Sequence, residues 1–74
     1  MSTKHYLFDV TFTDLENHQK SVLRPKVTRG AALEYVEAAY GHFTQTALNT
    51  YEFCEDGVPT ARVQIESLGG FVTE

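Results

Sequence analysis

The chain contains a single cysteine, Cys54, which excludes an intramolecular disulfide framework. No apolar run is longer than two or three residues, which excludes a membrane-spanning helix. No early stretch joins a basic segment to a long apolar one, so a secretory leader is not expected. The expected location is a reducing cytoplasm, that of the cell itself or of an infected host. Bases are scarce: six Lys and Arg face ten Asp and Glu, for a net charge of −4. A general nucleic-acid binder is usually basic overall, so this balance weighs against that class.

Chemical motifs are equally sparse. Gly69-Gly70 belongs to no phosphate-cradling pattern. His5, His18 and His42 are not spaced three or four residues from one another or from Cys54. A zinc site needs about four convergent ligands, so no metal or other cofactor is expected. Carboxylates near Cys54 would raise its thiol pKa and leave it inert. The carboxylates lack an evident cleft to push their pKa values apart, so acid–base catalysis is not expected.

A chain of 74 residues makes one domain, residues 1–74. It buries roughly 60–65% of its unfolded surface, for a stability of about 4–11 kcal/mol. Five Phe and four Tyr supply the large core side chains. Tyr6, Phe8, Val10 and Phe12 alternate with His5, Leu7, Asp9, Thr11 and Thr13 and predict a half-buried strand over 5–13. Residues 14–18 read as a polar turn, and a second strand follows over 19–27. A hairpin centred on Glu16–Asn17 pairs Val10 with Leu23 and Tyr6 with Val27, and sets Asp9 opposite Arg24. Pro25 lacks an N–H, which places this second strand at a sheet edge.

Thr28 is the expected N-cap of a helix over 29–43. Ala32, Leu33, Val36, Ala39, Tyr40 and Phe43 form its apolar stripe, with Tyr35 at the border. Gly41 either ends the helix or is tolerated inside it. Residues 46–50 read as a loop. Strands are expected over 50–55 and 60–67, with Phe53 facing Ala61 and Tyr51 facing Val63. That parity excludes a two-residue Asp56–Gly57 turn and favours a three- or five-residue loop, with Gly57 supplying a positive φ. Residues 68–74 read as a tail or a short strand. The expected fold class is therefore α+β, a ββαββ unit with one helix on a four-stranded mixed or antiparallel sheet. In element order and size it resembles β-grasp domains. A crossover through a helix normally returns a strand parallel to one already laid down, which gives the sheet order second-first-fourth-third of those domains. Leu68-Gly69-Gly70 is similar to the end of ubiquitin-like modifiers, although four residues follow it here.

Charge is split along the chain. Residues 1–29 carry Lys4, Lys20, Arg24, Lys26 and Arg29 against three acids. Residues 30–74 carry Arg62 alone against seven acids. Lys20, Arg24, Lys26 and Arg29 form a basic stripe that meets phosphates or an acidic protein, or else guards an edge strand against aggregation. Glu34, Glu37, Glu52, Glu55, Asp56 and Glu66 form the complementary acidic surface; all but Glu66 join the four bases as candidate partner-binding residues. The expected function is that of a small non-enzymatic protein-binding module. In size and charge the chain is similar to small phage and mobile-element inhibitors of host machinery, anti-CRISPR proteins among them. Nucleic-acid binding through the basic strand is the alternative, and a ubiquitin-like modifier a further one. A protein partner is expected, a membrane partner is not, and a homodimer through the second-strand edge is compatible with each reading.

Overall fold

Phe8, Val10 and Phe12 place one face of β1 (Lys4–Asp14) against the core, as their alternation predicts. The computed structural model describes residues 4–73, and the side chains of residues 5–69. After β1 come β2 (Gln19–Thr28), α1 (Arg29–Tyr40), β3 (Thr44–Ala47), β4 (Thr50–Glu55) and β5 (Val58–Thr73). The strands form one sheet in the order β2-β1-β5-β4-β3, every neighbouring pair antiparallel.

The class is α+β, but the expected four-stranded sheet is corrected to five. The extra strand, β3, has the sequence Thr-Gln-Thr-Ala, exposed throughout. An edge strand exposed in this way needs no apolar alternation, so it emits no period-two signal. It also reverses the direction of everything after it. β2 and β3 run the same way, as a helical crossover requires, but they lie on opposite edges of the sheet. The β3-β4-β5 meander then brings β5 back antiparallel to β1. The parallel return strand of a β-grasp domain is therefore absent.

All four ladders depart from simple register. In the first hairpin, Asp14–Gln19 through Thr11–Val22 pair about the expected centre. Leu23 is then an extra residue, so Val10 faces Arg24. A second extra residue, near Lys26, brings Phe8 opposite Val27. The expected Val10–Leu23, Tyr6–Val27 and Asp9–Arg24 pairs are thus displaced by two bulges. Lys26 sits in one of them at φ 50, and its N–H donates to Asp9 Oδ1 at 3.0 Å.

The second hairpin corrects another expectation. Glu55 pairs Val58 across a two-residue Asp56–Gly57 turn. Both turn residues have positive φ, 52 and 80, the signature of a type I′ turn. Phe53 nevertheless faces Ala61, and Tyr51 faces Val63. The two facts are reconciled by a bulge at Thr60, whose carbonyl accepts from Leu15 N–H at 3.0 Å.

Thr28 caps α1 through its hydroxyl, which accepts from the Ala31 N–H at 3.3 Å. The helix ends at Tyr40, three residues earlier than expected, with Gly41 right-handed at φ −61. It lies over β1, β2 and β5. Val10, Ala32, Val36, Val63 and Ile65 are the buried apolar residues between these layers. Ala39 is exposed, because only a narrow strip of the helix meets the sheet. Val10 and Val63, each fully buried, contribute about 1.5–3 kcal/mol apiece.

For the last stretch of β5 the sequence leaves a tail or a short terminal strand open. The stretch continues as a strand paired with β1, from Tyr6–Phe71 to Lys4–Thr73. β2 reaches β1 only as far as Leu7, and β4 reaches β5 only as far as Gln64. A two-stranded ribbon thus projects past the helix and the other strands. The molecule measures 51 × 21 × 18 Å in consequence. Its radius of gyration is 13.5 Å, where a compact chain of this length has about 11 Å.

Candidate functional site

The four bases of the expected stripe are dispersed by the bulges of β2. Lys20 crosses the face of the sheet away from the helix and pairs with Glu66 on β5. The Thr11 hydroxyl donates to the same carboxylate at 3.0 Å. This strap over β1 leaves Thr11 only 2% exposed on a face no helix covers. The Lys20 hydrogen bond holds the Glu66 carboxyl below its ordinary range; partial desolvation opposes it and the Thr11 hydroxyl adds to it. Arg24 turns to the helix side and lies 4.6 Å from the Tyr35 ring centroid, a cation–π contact. Arg29 donates to Asn49 Oδ1 at 2.8 Å, tying the start of the helix to the β3–β4 turn. Among the described residues, Lys26 is the one of the four whose side chain has no partner. One continuous phosphate-facing stripe is not formed.

The acids divide differently. Glu52 is neutralised: Arg62 Nε donates to its Oε2 at 2.9 Å, and Arg62 Nη2 lies 2.8 Å from the same oxygen. Glu34, Glu37, Glu55 and Asp56 are exposed, and among the described residues no base pairs with them. Glu16 is exposed as well, at the β1–β2 loop. That loop and the Asp56–Gly57 turn occupy one end of the sheet, since Asp14 pairs Ala61 and Leu15 bonds Thr60. The helix C-terminus points to this end too, with Tyr40 stacked 6.1 Å from Phe12.

The helix reinforces the polarity. Arg29 stands at its start, with no acid in the first turn and no base in the last. A helix carries partial positive charge at its N-terminus and partial negative charge at its C-terminus. Side chains and macrodipole therefore add. One end carries Glu16, Glu55, Asp56 and the helix C-terminus; Lys26 and Arg29 lie toward the other.

An aromatic cluster beneath the acidic end was not singled out from the sequence. Tyr40 meets Phe12, Tyr35 and Phe43 with centroids 6.1, 6.1 and 5.2 Å away. Phe43 and Phe53 stack at 5.6 Å, and His42 contacts both edge-on. Spacing along the helix implies only Tyr40 and Phe43; Phe53 joins through the register of β3 and β4. Burial, then the neighbouring Tyr35, raises the Tyr40 pKa above the ordinary phenol value. The cluster seats the helix end firmly and gives the acidic end a rigid base.

Cys54 is exposed on β4. Among the described residues no three His, Cys, Asp or Glu side chains converge as a metal set. No helix is long and apolar enough to cross a membrane. Gly69 and Gly70 lie inside β5, at an irregularity where Gly69 adopts φ 74, and the strand continues beyond them. No family model, curated protein or solved structure matches this chain.

Proposed function

We propose that this chain is a non-catalytic protein-binding module whose acidic end seats against a basic partner surface. One observation carries the reading: the bases are largely engaged within the fold, whereas the acids at one end are not. Lys20, Arg24, Arg29 and Arg62 are each held by a carboxylate, a ring or an amide. Among the described residues no base pairs with Glu16, Glu37, Glu55 or Asp56, which project beside or toward the helix C-terminus. Fixed negative charge of this kind steers association toward a positive groove and is screened by salt. The likeness in size and charge to phage and mobile-element inhibitors makes a nucleic-acid-handling host protein the partner class that fits best. Direct nucleic-acid binding is supported less, because the basic residues point in different directions.

The test is a triple neutralisation, Glu16→Gln, Glu55→Gln and Asp56→Asn, which retains an Asn-Gly turn compatible with type I′. Affinity capture from host lysate at low salt, followed by binding measurements on the purified pair, should give a stoichiometric partner. Its affinity should fall with rising salt and in the triple variant. A partner bound equally well by the triple variant, or a nucleic acid retained in its place, would refute the proposal.

A further inference from the structure

We propose that the chain forms a weak homodimer by pairing the open edge of β5, residues 67–73, with the same edge of a second copy. The two long edges of the sheet are treated differently. β2 carries Lys20, Arg24, Pro25, Lys26 and two bulges, the devices that keep an edge from accepting another strand. It is therefore a poorer dimer edge than β5. β5 from Ser67 to Thr73 contains no ionisable residue and no proline. β4 leaves it after Gln64, apart from one bond from Ile65 N–H to Asn49 O at 2.9 Å. Alternate residues of a strand direct their backbone groups to the same side. Ser67, two residues beyond Ile65, therefore presents its backbone to the vacated side.

A two-stranded ribbon alone is marginal in water, and a third strand is what such a ribbon lacks. Among the described residues no third strand pairs with it. Leu68 is 45% exposed on it, and Tyr6, on the β1 side of the ribbon, is 56% exposed. A Cβ placed on Gly69 would meet nothing within 4 Å, so the backbone at the irregularity is open to close approach.

The occupant is a second copy because the edge is self-compatible. Two neutral segments meet across a two-fold axis with no like charges opposed. The acidic ends, at the opposite extremity from the ribbon, are carried far apart. The surface area agrees. The chain exposes 5031 Å² where a monomer of its mass exposes about 4,600 Å². Covering that excess on both copies removes about 900 Å², below the roughly 1,200 Å² at which stable specific interfaces begin, which sets the dimer as weak and concentration-dependent.

Sedimentation of the full chain over a micromolar to submillimolar series tests this. The mass should rise from 8.3 kDa toward twice that value. The association should persist at high salt, unlike binding through the acidic end. Leu68→Lys and, separately, Ser67→Lys should hold the chain at monomer mass with an unchanged circular dichroism spectrum. Thr46→Lys, on the uncharged β3 edge, should leave the dimer intact. A wild-type chain that stays monomeric, including one whose ribbon takes up a different protein's strand, overturns the proposal. So does a dimer that both β5 lysines leave intact, or one that Thr46→Lys dissociates.

Discussion

Replacing Gly57 by alanine should destabilise the fold by about 1 kcal/mol, for a conformational reason alone. Gly57 sits at φ 80 in the β4–β5 turn, and a Cβ there would meet nothing within 4 Å. No clash contributes, so the cost is that of holding an L-residue in the left-handed region, about 1–2 kcal/mol. Stiffening the unfolded chain returns about 0.4–1 kcal/mol of it. The net loss corresponds to a fall in Tm of about 4–8 °C for a domain of this size. Urea unfolding followed by circular dichroism reads it directly, with an unchanged slope as the check that the unfolded state is comparable. Gly57→Asn should recover much of the loss, since asparagine visits this region more readily. Gly30→Ala, near the helix start and equally uncrowded, should instead stabilise by about 0.5–1 kcal/mol. If Gly57→Ala matched wild type while Gly30→Ala registered its gain, the two-residue turn would be wrong. A three-residue loop without the Thr60 bulge would take its place.

Val63→Ala removes two methyl groups from a fully buried site and should cost about 2–3 kcal/mol, measured by the same unfolding assay. Glu66 has its pKa lowered in the fold, so its contribution is complete above the ordinary glutamate range and is lost as the pH falls through its folded value. Wild type should therefore exceed Glu66→Gln in stability near neutral pH, and the two should converge in acid; a gap independent of pH would contradict the Lys20–Glu66–Thr11 strap.

Elements whose residues alternate or repeat against a core were legible in the sequence. Phe8, Val10 and Phe12 announce β1, and Thr28 announces the helix start, because burial and capping leave local signatures. β3 left none, since Thr44–Ala47 is exposed throughout. The bulges left none either. Leu23 and Thr60 become extra residues only once their strands are seated in the assembled sheet, which is a tertiary outcome. The acidic residues were legible as a set, but their division was not. Glu52 and Glu55 are three positions apart, and only the register opposite Arg62 neutralises one and leaves the other exposed. The aromatic cluster was missed for the same reason, because Phe53 reaches Tyr40's neighbours across strands.

The bulge at Thr60 also bears on how this chain can change in length. Glu55–Val58 and Cys54–Pro59 pair on one side of it, and Phe53–Ala61 on the other. Deleting Thr60 would join these pairs into one regular ladder and leave every inward-facing side chain on its present face. Deleting Arg62 or Gln64 would turn one flank of β5 inside out. Residue 60 is thus a spare place in the chain, where evolution can remove a residue without rewriting the core. Length differences among descendants of this sequence should gather there, and the strand beyond it should keep its count.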